Sequence, residues 1–222
     1  ADAADLLACY GITLLPAVRV DSADAAVRAA EQVGYPVVLK TIAEHLRHRV
    51  DIDGVRLDIG AEAGLRRVFA EMTLRLGGPD QARLVVQPMA PHGIATVLGL
   101  NYDDSFGAVL SFGLAGPATE LLGDVAHRLV PATDHDVADL VREVRAAPML
   151  FGHRGARPVD VSALEDLLLR LSRLADDLPQ VTSIELNPVM VATEGTHVLG
   201  ARIRLSRPPA RTDLGPRSLS RP

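Results

Sequence analysis

The chain has little of what marks secreted, membrane-spanning or nucleic-acid-binding proteins. Its 222 residues include one cysteine, Cys9, no tryptophan and 3% aromatic residues. One cysteine excludes an internal disulfide and a cysteine-rich zinc site. No apolar run approaches the roughly 20 residues that cross a bilayer, and the first residues lack the pattern of a secretory signal. The net charge of -5 and the scarcity of base-stacking rings argue against nucleic acid as a partner. We therefore expect a cytoplasmic protein.

Lysine is equally scarce, because Lys40 is the only lysine among 23 Lys and Arg residues. It ends the apolar run Gly34-Tyr-Pro-Val-Val-Leu-Lys40, which predicts a short strand buried on both faces. A compact ammonium group suits the binding of a phosphate as a point charge, whereas a guanidinium is planar and forked. The alternative is a solvated lysine at the end of a strand. The residue alone does not decide between the two.

The hydrophobic patterns predict a chain of mixed helices and strands. Strands alternate with helices in the first part, and consecutive strands after it indicate an antiparallel sheet. Ser22 and Gly34 are typical of the two ends of a helix, and Thr133 with Asp136 and Ser162 with Glu165 are typical capping boxes. The predicted helices comprise residues 5–10, 23–33, 61–76, 137–145 and 163–178, and the predicted strands comprise residues 14–20, 55–59, 83–87, 94–100, 106–112, 126–130, 181–188 and 197–205, besides the one that ends at Lys40.

Three segments are candidates for chemistry. Residues 44–54 are densely charged without helical or alternating order, which is typical of a long functional loop. Residues 113–117 predict a glycine-rich loop whose amides could approach a phosphate. Glu185 and Asn187 lie two residues apart in a predicted strand, so their side chains share a face and suit a hard cation. From residue 207 the chain is rich in Pro, Arg, Ser and Gly, and we expect a disordered tail.

The order of several short motifs is more specific than any one of them. The motifs are Tyr10-Gly-Ile12, Gly34–Lys40, His48–Val55, Val86–Met89, Phe112–Gly116, Asp124-Val-Ala126, Gly152–Gly155 and Glu185–Pro188. From about residue 6 to 205 the chain resembles the ATP-grasp domain of the NDP-forming acyl-CoA synthetases, which include ADP-forming acetyl-CoA synthetase. The resemblance implies a two-lobed α+β ATP-grasp fold with ATP between the lobes. It implies an amino-terminal lobe with the leading helix at residues 1–86, a second lobe at 87–206 and a tail at 207–222.

The same resemblance implies roles for individual residues. His48 matches a histidine that relays phosphate, and Lys40 matches a phosphate-binding lysine. Residues 87–89 match the segment that the adenine edge contacts, largely through backbone groups, and Glu185 with Asn187 matches the acidic-x-Asn strand at the metal. The implied cofactors are ATP or ADP and Mg²⁺, and the implied partner is a CoA-binding ligase domain in the same or another chain. The implied nucleotide-binding residues are Lys40, Arg49, Gly54, Gln87, Met89, Gly113, Gly116, Glu120 and Asn187.

Departures from the family pattern occur where the metal would be held. Ala95 stands where relatives typically carry Glu, and Gly200 stands where they carry the Asp that is a usual magnesium ligand. We therefore predict a degenerate metal site and a regulatory or structural role, as in relatives that are fused to a GNAT lysine acetyltransferase. One alternative is an active ADP-forming acyl-CoA ligase half in which Asp124 or Glu185 replaces the missing ligand. The other is an interaction module that binds no nucleotide.

Overall fold

The computed structural model of the protein describes residues 3–43 and 54–206. The described residues form two compact units, one within residues 14–92 and the other made of residues 3–13 with 93–206. Two units of mixed helix and sheet confirm the predicted two-lobed α+β class. Most of the predicted loop at 44–54, and the predicted tail, lie outside the described residues. In the described ranges no helix is long and apolar enough to cross a membrane.

The first unit is a four-stranded antiparallel sheet with two helices on one face. Its elements are β1 (Val18–Arg19), α2 (Ala23–Val33), β2 (Val37–Thr41), β3 (Val55–Ile59), α3 (Glu62–Arg75), α4 (Pro79–Ala82) and β4 (Leu84–Pro88). The strand order is β1-β4-β2-β3, so β1 is an edge strand as the sequence predicts, but only Val18 and Arg19 of the predicted residues 14–20 belong to it. α2 begins after Ser22, whose hydroxyl accepts a hydrogen bond from the Ala25 amide at 3.2 Å, and it ends at Gly34. Both predicted ends of this helix are confirmed.

The two faces of this sheet differ. Val37 and Leu39 of β2 and Val86 of β4 are fully buried in a core shared with α2 and α3. Successive side chains of a strand point to opposite faces, so Val38 and Lys40 lie on the face away from these helices. The lysine therefore belongs to the side of the sheet that α2 and α3 leave uncovered.

The second unit is a six-stranded antiparallel sheet with two helices on one face. Its elements are α1 (Ala3–Cys9), β5 (Gly93–Asp103), β6 (Gly107–Leu114), α5 (Pro117–Leu122), β7 (Val125–Leu129), α6 (Asp134–Glu143), α7 (Val161–Asp177), β8 (Val181–Ala192), β9 (Thr196–Val198) and β10 (Ala201–Leu205), with short 3-10 turns at Ala147–Met149 and His153–Gly155. The strand order is β10-β8-β5-β6-β7, and β9 pairs with β8. α6 and α7 pack on one face, where Leu98, Phe112 and Leu168 are fully buried. The predicted Thr133–Asp136 capping box is confirmed at the start of α6.

The predicted start of α7 is wrong. The helix begins after Asp160, and Ser162 lies inside its first turn. The Asp160 carboxylate accepts hydrogen bonds from the amides of Ala163 at 3.0 Å and Gly195 at 2.9 Å. These two bonds hold the pKa of Asp160 below its usual range, with the bond from Ala163 as the larger cause. The hydrogen bond from Gly195, in the turn between β8 and β9, favours Asp160 as the cap, and the local sequence does not reveal this contact.

Three further predictions for this sheet are corrected. β5 extends through Asp103, beyond the predicted strand end at residue 100, so the turn that leads to β6 is shorter than the gap between the two predicted strands. Gly113 belongs to β6, where it pairs with Val97 and Val125, so it is part of a strand and not of a loop. The predicted final strand is divided into β9 and β10, which pair with different parts of β8. Pairing between distant segments decides each of these differences.

The leading helix belongs to the second unit, whereas the sequence analysis grouped it with the amino-terminal lobe. α1 packs against β10, and Leu7 and Ile12 are fully buried. Arg170 of α7 donates a hydrogen bond to the carbonyl of Tyr10 at 3.1 Å, and the Tyr10 hydroxyl donates one to Asp177 at 3.3 Å. The predicted lobe boundaries at residues 86 and 206 stay a prediction.

Candidate functional site

Lys40 lies near the end of β2, between β3 and β4. Its Cα pairs with those of Val55 and Val85, and its side chain is half-buried. The next residue, Thr41, donates its amide hydrogen to the carbonyl of Gly54 at 2.9 Å. The fold therefore brings Lys40 and Gly54, two predicted nucleotide-binding residues, to the same end of the sheet in the first unit.

The segment from Gln87 to Met89 lies at the end of β4, which is the neighbour of β2 in the sheet. Side-chain hydrogen bonds hold it in place. Gln87 is 2% exposed, and its amide nitrogen donates to the carbonyl of Leu15 at 2.9 Å. The amide of Met89 donates to the carbonyl of Pro36 at 3.4 Å, and its sulfur accepts from the amide of Asp58 at 3.4 Å. Because both side chains are engaged within the first unit, backbone groups are the natural means by which this segment would contact a ligand.

The six-stranded sheet has a second face, on the side away from α6 and α7, that we call the polar face. Its residues alternate along the strands with the buried core residues. They are Ala95, Val97, Gly99, Asn101 and Asp103 of β5, Val109, Ser111 and Gly113 of β6, Val125, His127 and Leu129 of β7, Ser183, Glu185 and Asn187 of β8, and Arg202 and Arg204 of β10. Gly99, Ser111 and Gly113 are small residues at neighbouring positions of β5 and β6, so little side-chain bulk covers the backbone there.

Glu185 and Asn187 share this face as the sequence predicts. The amide nitrogen of Asn187 donates to Oε1 of Glu185 at 3.0 Å. In the sheet, Glu185 lies between Gly99 of β5 and Arg202 of β10. The pair therefore forms one hydrogen-bonded polar unit beside a position without a side chain.

The loop after β6 is fixed by a threonine that the sequence analysis missed. The Thr119 hydroxyl lies 2.8 Å from the carbonyls of both Leu114 and Gly116. The Ala115 amide donates to the carbonyl of Ala95 at 2.8 Å, which joins the loop to β5. Gly116 has a φ of 132°, a region that glycine adopts without strain. A hydroxyl residue shortly after a glycine is a local signal for such a loop, because it competes for nearby backbone groups.

Asp124 has a structural partner. Its two carboxylate oxygens accept hydrogen bonds from the amides of Arg145 at 2.8 Å and Ala146 at 3.0 Å, in the segment that follows α6. The backbone of Asp124 also packs closely against Gly113 of β6, since a Cβ atom at Gly113 would lie 3.0 Å from the Asp124 carbonyl. The carboxylate therefore links β7 to the end of α6, which argues against its use as a substitute metal ligand.

Position 200 has no room for the acidic residue that the family resemblance implies there. A Cβ atom on Gly200 would lie 2.6 Å from the carbonyl oxygen of Asn187, whose amide donates to the Gly200 carbonyl at 3.0 Å. Within residues 3–43 and 54–206 no group of three or more His, Cys, Asp or Glu could hold a metal ion. Glu185 is the one carboxylate that the described strands bring to the middle of the polar face. This donor set does not fit a magnesium ion held by two protein carboxylates.

The predicted site residues fall into three groups. His48, Arg49 and the side chain of Glu120 lie outside the part of the chain that the structure describes, and their roles stay predictions. The others are divided between the units. Lys40, Gly54, Gln87 and Met89 belong to the first unit, and Gly113, Gly116, Glu185 and Asn187 belong to the second.

Sequence comparisons identify relatives over nearly the whole chain. A family model described as an ATP-grasp domain matches residues 1–205. The chain is 34% identical over 211 residues to acetate–CoA ligase (ADP-forming) II subunit beta of Pyrococcus furiosus, covering 92% of this chain and 89% of that subunit. It is 38% identical over 209 residues to acetate–CoA ligase (ADP-forming) I of Archaeoglobus fulgidus, covering 92% of this chain but only 30% of that longer protein.

Solved structures agree with these relatives. The chain matches dinucleotide-forming acetyl-coenzyme A synthetase 1 of Ca. Korarchaeum cryptofilum, in complex with coenzyme A, Ca-AMPCP and HgCl+, with a TM-score of 0.80 and 31% identity over 91% of this chain and 90% of that chain. A second structure of that protein contains coenzyme A and Mg-AMPPCP, with its phosphohistidine segment pointing towards the nucleotide binding site. It gives a TM-score of 0.74 and 32% identity over 90% of this chain and 88% of that chain. With sequence and fold in agreement, the chain belongs to the ATP-grasp domains of the ADP-forming acyl-CoA synthetase family.

Proposed function

We propose that this chain is the nucleotide-binding domain of an acyl-CoA synthetase-like multidomain protein, in which a degenerate metal site leaves it a regulatory or structural role. One observation carries the proposal. On the polar face the Glu185–Asn187 pair is in place, while Gly200 has no side chain and the Asn187 carbonyl closes off the space for one. The domain thus keeps groups that suit a nucleotide and lacks one that suits its metal.

Nucleotide binding is supported by the complexes of similar proteins with AMPCP and AMPPCP. In this proposal Lys40 holds a phosphate as a point charge, and the backbone of residues 87–89 contacts the adenine. Small residues on the polar face let the backbone approach the phosphates. The remaining proposed contacts are Arg49, Gly54, Gly113, Gly116, Glu120 and Asn187.

The loss of chemistry follows from how phosphoryl transfer is catalysed. That reaction relies on positioning and on neutralisation of the developing charge more than on covalent steps. Removing one preorganised electrostatic group commonly costs ~3 kcal/mol in the barrier, which is more than a hundredfold in rate. Ala95 also lies on the polar face and offers no functional group. Two such losses favour a domain that binds nucleotide without turning it over.

We place this domain in the cytoplasm, acting on a CoA-binding ligase domain or on a GNAT lysine acetyltransferase domain. The chain spans 30% of the longer Archaeoglobus fulgidus relative, which supports a role as one part of a larger enzyme. The domain content of the full-length gene product distinguishes these two partners.

A second candidate is an active ligase half. The 34% identity over 89% of a beta subunit favours it. In this alternative His48 relays a phosphoryl group between the CoA-binding partner and ADP. Glu185 and Asn187 are then the protein ligands of the magnesium ion. A module that binds no nucleotide is the third outcome that experiments must distinguish.

Thermal melting with ADP tests nucleotide binding. At about 100 times the Kd, a ligand stabilises the folded state by about 2.7 kcal/mol, which is about 5–10 °C for a domain of this size. We expect Lys40→Ala to abolish most of this shift and Lys40→Arg to restore only part of it. Arg67→Ala removes an equally charged but 75% exposed side chain of the same unit and is the matched control. A wild-type protein that shows no shift at millimolar ADP would favour the nucleotide-free module.

Phosphohistidine separates the regulatory domain from the active ligase. The full-length protein is incubated with ATP and Mg²⁺, and acid-labile phosphate on His48 is measured against a His48→Ala control. We expect no phosphorylation at His48. Its formation at a stoichiometric level would support the active ligase instead.

A further inference from the structure

We propose that the second unit binds a free nucleoside polyphosphate anion, neutralised by Arg202 and Arg204, and that Mg²⁺ contributes little to the affinity. This inference rests on the proposed nucleotide binding and deepens it. It concerns the form in which the nucleotide is taken, as the anion or as its magnesium complex.

The register of β10 places both arginines on the polar face. The Cα of Arg202 pairs with that of Glu185, and the Cα of Arg204 pairs with that of Ser183. Arg202 is half-buried and Arg204 is exposed. Residues two apart on a strand lie about 7 Å apart on the same side, so two long, flexible guanidinium groups can serve neighbouring phosphoryl groups of one ligand.

The described strands bring two arginines and one carboxylate together at this position. Glu185 carries the one negative charge that the described strands place beside Arg202 and Arg204. The next carboxylate that the described strands place on the face is Asp103, four residues along β5 from Gly99, or about 14 Å away. That distance exceeds the Debye length of about 8–10 Å. Oδ1 of Asp103 is also bound by the amides of Ser105 and Phe106.

The same surroundings disfavour a divalent cation. Mg²⁺ at nucleotide sites is commonly held by one or two carboxylates together with phosphate oxygens. Here the second carboxylate is replaced by Gly200, and the Asp124 carboxylate is engaged by two backbone amides. Beside the remaining carboxylate stands Arg202, whose charge repels a cation. Guanidinium groups bind phosphate through two parallel hydrogen bonds, so they can supply the neutralisation that a metal supplies elsewhere.

Calorimetric titration of the whole chain with ADP, once with MgCl2 and once with EDTA, tests the inference. We expect the two Kd values to agree within about threefold. In EDTA, Arg202→Gln should weaken binding at least about tenfold, since a charge-assisted hydrogen bond is lost, and Arg202→Lys should recover part of the loss. Arg173→Gln is the matched control, because that side chain is 70% exposed on α7 and lies outside the polar face.

Glu185→Gln distinguishes a site for the free nucleotide from a magnesium site, because the two predict opposite changes in affinity. The variant keeps an oxygen for the hydrogen bond from Asn187 and removes the negative charge. We expect it to bind free ADP as tightly as the wild type or more tightly, whereas a magnesium site would lose affinity for Mg-ADP. Wild-type binding that tightens tenfold or more with Mg²⁺ would overturn this inference and leave nucleotide binding intact. A folded wild type that binds ADP in neither buffer would overturn the proposed function as well.

Discussion

Replacing Asp124 by alanine tests whether this carboxylate is a structural link or a reserve metal ligand. The variant leaves the amides of Arg145 and Ala146 without their acceptor. A hydrogen bond to a charged group contributes about 1.5–3 kcal/mol, and because Asp124 is only half-buried the lower value applies to each bond. We expect the free energy of unfolding to fall by about 3 kcal/mol, or about 6–12 °C in Tm. Urea unfolding in EDTA measures this change without any contribution from metal.

Two further variants serve as controls for Asp124→Ala. Asp124→Asn retains one oxygen acceptor and should lose about half as much, about 1.5 kcal/mol. Asp176→Ala removes an exposed carboxylate of α7 and should change stability by less than about 0.5 kcal/mol. If Asp124→Ala unfolded like the wild type in EDTA but lost Mg-dependent nucleotide affinity, Asp124 would be a ligand and the structural explanation would be wrong.

Two other substitutions have defined outcomes. Asp160→Ala should cost about 1–2 kcal/mol at neutral pH, because it removes a helix cap and the acceptor for the Gly195 amide. The folded-state pKa of Asp160 is lowered, so its stabilisation is present above the unfolded pKa of about 3.9 and is lost as the pH falls through the folded value. Urea unfolding at neutral and acidic pH should therefore show the gap closing in acid, and a gap that persists there would contradict the assignment. Gly200→Asp should destabilise the second unit by about 1–3 kcal/mol and leave the ratio of Kd values with and without Mg²⁺ unchanged, since its Cβ meets the Asn187 carbonyl; a stable variant with strongly Mg-dependent ADP binding would show that the site is restorable.

Local patterns predicted those elements whose ends are decided within a few residues. α2 was predicted with both ends because Ser22 caps it and Gly34 ends it, and both signals act over one helical turn. The shared face of Glu185 and Asn187 follows from the two-residue period of a strand alone. The family was recognised from the order of its motifs, and the match to residues 1–205 confirms it.

The remainder depended on contacts between distant segments. Ser162 and Asp160 are both good capping residues, and the amide of Gly195, 35 residues beyond Asp160, favours the second. Gly113 looked like part of a loop because glycine is poor in strands, yet pairing on both sides places it in β6. The arginines of β10 could not be assigned to the polar face until the β10–β8 register was known. The sequence shows which residue types are present, but only the strand pairing shows which of them are neighbours.

The division of the chain has a practical consequence for dissecting it. The first unit is one continuous stretch, so a fragment of residues 14–92 carries all of its strands. The second unit is assembled from two separate stretches. A fragment that starts at residue 93 would expose the apolar surface that Leu7 and Ile12 cover and would leave Arg170 without the Tyr10 carbonyl. Such a truncation should aggregate, and supplying residues 3–13 as a peptide, or joining them by a short linker, should return it to solution.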